Sequence, residues 1–277
     1  MKLILLATIA GTIAVVALGS LLAAGSLTWT SAARAASADI TATPSPSGFL
    51  SATPITSAAA AAPGVAPAPT RVVAIGDSIM KGFGLSPADA WPELISATNG
   101  WSLDTLACDG AGFVQSGSSF ECGDTFVDVS RSAATLAPDL IIIEGSSNDF
   151  GQSNSELLSA TISALTILRT QFPNAEILGL STVWSETTPP AQLADINSQV
   201  QEAVEEVGGH YLDIGQPLSG HPELMQADDV HPTVAGQAVL AVAIQTAVTG
   251  EQQALASQQK LQQEQVEKLK IMARWID

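Results

Sequence analysis

The chain has 277 residues, 46% of them hydrophobic, and a formal charge of −17 at pH 7, which is enough apolar material for one sizeable domain with a buried core. Between residues 71 and 250 there are 22 acidic residues and four basic ones, Arg71, Lys81, Arg131 and Arg169. Such a balance argues against nucleic acid and other anionic surfaces as partners, because phosphate binding draws on clustered Lys and Arg.

In chain order, residues 3–24 are almost uninterruptedly apolar after Lys2, and Ala36-Ser37-Ala38 ahead of Asp39 has the small-x-small form of a signal-peptidase site. Residues 1–38 therefore read as an export leader. Counted through Trp29, the run also reaches the length of a membrane span, so an uncleaved N-terminal anchor is the alternative and would be the chain's one contact with a membrane. Both readings place the remainder outside the cytoplasm, secreted or held at the cell envelope. Residues 39–70 are dominated by Ala, Ser, Thr and Pro with almost no charge, the composition of a linker or an O-glycosylated stalk.

From 71 to 250 the pattern is one domain. Apolar strand-like runs recur at 72–76, 103–107, 139–144, 176–183 and 210–213, separated by segments of helical period. Leu157, Leu158, Ile162, Leu165 and Leu168 form one stripe, and Val200, Ala203, Val204 and Val207 another. Alternating strands and helices predict an α/β fold, a parallel sheet covered on both faces with its site at the carboxyl ends of the strands.

The first strand runs into Gly76-Asp77-Ser78-Ile79, and Asp228-Asp229-Val230-His231 answers it far downstream. A serine hydroxyl is a weak nucleophile at neutral pH. It needs a histidine to take its proton and a carboxylate to hold the imidazole in the right tautomer. Asp228 and His231, on one short segment, can serve together. The Gly-x-Ser-x-Gly elbow of the α/β-hydrolases is absent. Two further segments follow strand-like runs: Ala107-Cys108-Asp109-Gly110-Ala111-Gly112 and Gly145-Ser146-Ser147-Asn148-Asp149.

On these four blocks, in this order, the chain resembles the SGNH, or GDSL-type, hydrolases over about residues 71–248. The resemblance implies a three-layer α/β/α, flavodoxin-like fold with five parallel strands, and hydrolysis of acyl esters with no cofactor and no metal. Carried over residue by residue, it makes Ser78 the nucleophile, His231 the general base and Asp228 the residue that orients it. The oxyanion hole would be Ser78, Gly112 and Asn148. Gly110 competes with Gly112 for that role, and Ser146 stands where the family usually has a second glycine. The substrate class implied is a small-molecule or glycan acyl ester. An acyltransferase with the same machinery, a non-catalytic envelope-binding protein on the same fold, and a metal-dependent hydrolase using Asp77, Asp149, Asp228 and Asp229 are the rivals. The ligand spacing of the last is poor.

Secondary features complete the reading. Asp77 is expected to brace the nucleophile turn and Asp149 the asparagine loop, while His210 and His221 are structural. Cys108 and Cys122 flank the second block; in an exported chain a disulfide is expected, with buried free thiols as the alternative. Trp184, Ser185, Glu186 and Pro189-Pro190 follow the fourth strand, and Trp184 reads equally as substrate wall or as core. The short spacing between motifs leaves no room for a large cap, so an open site is expected. After Gly250 a Gln-rich helical tail, residues 251–277, carries Val266, Leu269, Met272 and Ile276 on one stripe. It reads first as a helix packed on its own domain, and otherwise as a partner-binding helix. The sequence leaves the oligomeric state open.

Overall fold

The computed structural model describes residues 68–120 and 122–273. The leader and most of the linker lie outside the described residues, as does Ile276 of the tail stripe. Residues from Pro69 onward form one compact unit.

Five strands, β1 (Arg71–Ile75), β2 (Ser102–Thr105), β3 (Leu140–Glu144), β4 (Glu176–Leu180) and β5 (His210–Leu212), form one sheet in the order β2-β1-β3-β4-β5. All four pairings are parallel. Among the described residues six α-helices connect and cover them: α1 (Ser78–Lys81), α2 (Trp91–Asn99), α3 (Phe126–Ser132), α4 (Asn154–Gln171), α5 (Gln192–Glu206) and α6 (Val234–Ala273).

Side chains alternate across a strand, so β1 and β3 divide their apolar residues between two cores. Val73, Ile75, Ile141 and Ile143 pack with residues of α3, α4 and α5, such as Phe126, Leu165 and Val200. Val72, Ala74, Leu140 and Ile142 pack with Trp91 and Ile95 of α2 and Leu240 and Ile244 of α6. Every residue of β3 is buried, which is why its run reads as continuously apolar. The expected three-layer α/β/α fold is present, and all the strands point their carboxyl ends at one edge.

Two boundaries differ from expectation. β4 stops at Leu180, not 183, because side chains take over its backbone partners. The Thr182 N–H donates to Asn197 Oδ1 at 2.8 Å and the Ile214 N–H to Ser181 Oγ at 3.0 Å. Nor does Gly250 break the chain, since α6 runs through it for 40 residues. A mid-helix glycine costs about 1 kcal/mol relative to Ala, which an otherwise helical sequence absorbs. Packing ends a turn or so later: Val248 is buried, and Glu251 pairs with His210 Nδ1 at 2.9 Å. Beyond it Leu261, Val266, Leu269 and Met272 are at least half exposed. The expectation that this tail packs on its own domain is therefore corrected.

Candidate active site

The Gly76-Asp77-Ser78-Ile79 segment starts where β1 ends. Asp77 caps α1, its Oδ1 accepting the Ile79 N–H at 2.8 Å. Helix α1 lasts one turn and stops at Gly82, whose φ of 73° only glycine adopts readily. This puts Ser78 at the carboxyl edge of the sheet, largely buried.

The histidine segment is built by a tight turn. Asp228 Oδ1 accepts the N–H of Val230 at 3.1 Å and of His231 at 3.0 Å. Asp229 takes φ 55°, a left-handed conformation that aspartate tolerates. That residue lets the chain fold back, so Asp228 Oδ2 reaches His231 Nδ1 at 2.7 Å. An ionised carboxylate only accepts, so Nδ1 carries the proton and Nε2 is left to accept from Ser78 Oγ, at 2.9 Å. The His231 backbone N–H, with the imidazole second, holds the Asp228 carboxyl down to about 2. The three residues that the sequence singled out lie in one line of hydrogen bonds.

Two partners of His231 escaped the sequence reading. The Phe83 ring stacks on the imidazole, centroids 4.3 Å apart at 28°. Gln226 ties the two loops together: its N–H donates to the His231 carbonyl at 2.7 Å and its Nε2 to the Phe83 carbonyl at 2.7 Å. Phe83 lies five positions after Ser78, and only the fold brings it against a residue from the far end of the domain.

The second and third blocks meet beside Ser78. Asn148 Nδ2 donates to the Ala111 carbonyl at 2.9 Å and makes a long approach of 3.4 Å to Asp77 Oδ2. One amide proton is thus fixed, and the other is available to an incoming oxygen. Ser146, the departure from the family pattern, fits without distorting the loop; its Oγ lies 2.7 Å from Asp77 Oδ2 and accepts the Asn148 N–H at 3.1 Å.

Gly112 is a correction. Its N–H donates to the Gln115 carbonyl at 2.8 Å, so it is not available to an oxyanion. Gly112 is needed for another reason: a side chain there would run into the Asp149 carboxylate. Asp149 accepts the N–H groups of Phe113, Val114 and Gln115 at 2.6, 3.0 and 2.9 Å. It braces the second block from the third, and its burial pushes the carboxyl up. Gly110, the competing glycine, adopts φ 76°. The N–H groups of Ser78 and Gly110 have no hydrogen-bond partner among the described residues.

Cys108 and Cys122 form a disulfide, Cα atoms 6.0 Å apart, that closes the loop carrying this block. Among the described residues no group of three or more His, Cys, Asp or Glu side chains is placed to hold a metal ion, and three of the four carboxylates of the metal alternative are engaged elsewhere. Asp77 faces Ile79 and Ser146, Asp149 the 113–115 backbone and Asp228 His231. Of the two expectations for Trp184 the structure shows the core one, since it packs against the α4 and α5 side of the core; it also meets Phe150 edge-on at 5.9 Å.

Residues 74–239 match the GDSL-like Lipase/Acylhydrolase family. The chain belongs to that family, and it is an ester hydrolase. GDSL lipase Rv0518 of Mycobacterium tuberculosis is 28% identical over 185 residues, which is 61% of this chain and 78% of the relative. Two solved structures share the fold. A family two carbohydrate esterase from Clostridium thermocellum, in complex with cellohexaose, superposes with a TM-score of 0.54 at 17% identity, over 68% of this chain and 66% of that one. The psychrotrophic esterase EstA from Pseudoalteromonas sp. gives 0.53 at 15% identity, over 66% and 99%.

Proposed function

We propose that the chain is an exported serine esterase that removes short acyl groups, with O-acetyl groups on glycans the favoured natural substrate. The observation that carries this is the Asp228–His231–Ser78 line, 2.7 and 2.9 Å per step, at the sheet edge where the other two blocks also arrive. Ser78 Oγ attacks the ester carbonyl while its proton passes to His231 Nε2, and Asp228 stabilises the imidazolium that forms. The Ser78 and Gly110 N–H groups and one proton of Asn148 Nδ2 hold the oxyanion, Gly110 taking the part that the sequence assigned to Gly112. Each such donor contributes about 3 to 4 kcal/mol to the transition state. Collapse expels the alcohol, which takes the proton from Nε2. Water then repeats the sequence on the acyl-enzyme and releases the acid.

Export rests on the leader pattern of residues 1–38, and the disulfide suits an oxidising compartment. The glycan reading is supported by the absence of a cap between the motifs and by the fold shared with carbohydrate esterases. The test is ester turnover and fluorophosphonate labelling of the purified protein. Ser78→Ala and His231→Ala should each lose about three orders of magnitude or more in kcat, with Asp228→Ala milder. Undiminished hydrolysis by Ser78→Ala would overturn the reading.

A further inference from the structure

We propose that Glu144, the last residue of β3, is a positioning residue of this site: it stays protonated beneath the nucleophile turn and donates its O–H to Asp77, so that a single negative charge anchors Ser146 and Asn148. The proposal rests on the Ser78 reading above and adds a floor to it.

Glu144 and Asp77 are both almost completely buried, and the Asp77 N–H donates to Glu144 Oε1 at 3.1 Å. Gly76 makes room for this contact, since a Cβ there would collide with that same Oε1. The glycine of Gly76-Asp77-Ser78 therefore leaves the space that the Glu144 carboxyl and the Met80 side chain fill. No ion pair among the described residues reaches either group. Two carboxylates sharing a buried site without a cation cannot both ionise at modest cost, so the pair holds a proton.

Donor count places that proton. Asp77 accepts from two donors, the Ile79 N–H and Ser146 Oγ, whereas Glu144 accepts from one, the Asp77 N–H. Charge gathers where donors converge, which is Asp77. Burial, and then the neighbouring Asp77, push the Glu144 carboxyl well above the usual carboxylate range.

The line continues to the oxyanion loop. Ser146 has one hydroxyl proton and two acceptors within reach, Asp77 Oδ2 and the Ala111 carbonyl at 2.9 Å. Asn148 Nδ2 already serves the Ala111 carbonyl, and a carboxylate is the stronger acceptor, so Ser146 donates to Asp77 and accepts the Asn148 N–H. Asn148 is thereby held at both its backbone and its amide. A neutral Glu144 also keeps a second negative charge away from the place where the oxyanion forms.

The test compares Glu144→Gln, a neutral isostere, with Glu144→Met, of similar length and without a donor, on the full chain with p-nitrophenyl acetate. Gln should keep kcat within about threefold of wild type, while Met should lower kcat about tenfold or more with KM nearly unchanged. Ser146→Ala cuts the same line one residue further on and should also lower kcat and spare KM, which keeps the test decisive where Glu144→Met does not fold. A Gln variant as damaged as Met, or a folded Met or Ser146→Ala variant with wild-type kcat, would overturn the proposal. Ser78→Ala separates the two levels: if it is inert while Glu144→Met is fully active, this inference alone fails. If Ser78→Ala is active, the site reading itself fails.

Discussion

His231 is constrained on every side that matters: Asp228 at Nδ1, Ser78 at Nε2, Phe83 on its face and the Gln226 N–H on its carbonyl. Asp228 sets how this arrangement responds to pH. Its carboxyl is held down to about 2, below its ordinary value, so it contributes stability above the unfolded pKa of about 3.9 and loses that contribution as pH falls toward its folded pKa. The carboxylate is therefore fully ionised throughout any assay range above about pH 4. Asp228→Asn should lower kcat/KM by a nearly constant factor from there to neutrality, a ratio read from two pH–rate profiles. A factor that varies steeply across that range would show that Asp228 titrates in it. The hydrogen-bonded line of Asp228, His231 and Ser78 was legible because each member sits in a short motif whose residue types state their chemistry. Gly110 and Gly112 were not separable, because the difference lies in where the Gln115 carbonyl points. Glu144 was hidden as the end of an apolar run, and Phe83 by the sequence distance to its partner.

Among the elements, strands β1 and β3 were legible nearly to the residue, since continuous burial leaves an unbroken apolar run. The end of β4 was not, because Ser181, Asn197 and Thr182 replace a ladder with side-chain bonds that have no period. The loop after β2 depends on Asp149, which satisfies three backbone N–H groups at once. Asp149→Ala strands all three in a largely buried place, at about 1 to 3 kcal/mol each before relaxation. It should lower the denaturant midpoint substantially and weaken activity by releasing the second block. A midpoint unchanged within error would mean that the Cys108–Cys122 bridge alone holds the loop. Helix α6 gives the complementary case. Residues 256–272 are exposed, so a protein lacking 256–277 should unfold at the same denaturant concentration and keep its kcat. Cutting at 250 also removes Glu251 and its bond to His210, and should be the slightly less stable of the two. Loss of turnover on removing 256–277 alone would show that the exposed apolar stripe acts on the site.

For the whole molecule, the proposed function makes charge and openness the properties that select substrates. Among the described residues every strand and α-helix belongs to the three-layer fold and none forms a cap domain, so an added methylene on the acyl chain should stay largely in water and not gain the ~0.8 kcal/mol that burial would give. The specificity constant across p-nitrophenyl esters should therefore peak at two to four carbons, roughly where that burial term stops accruing; a maximum at ten carbons or more would point to a lipid groove. With 22 acidic residues against four basic ones between 71 and 250, anionic esters should be disfavoured at low salt. That penalty should shrink as ionic strength rises.

The proposed triad joins residues 153 positions apart, Ser78 near the start of the domain and His231 near its end. On that mechanism a chain emerging from the ribosome presents its nucleophile and both oxyanion blocks long before it has a base. Until residue 231 is made and α6 docks beside α2, no esterase exists, only a serine. Contacts of such long range also form slowly. A chain threaded across a membrane in extended form would thus make the whole crossing chemically silent, and hydrolysis would begin only where folding is completed.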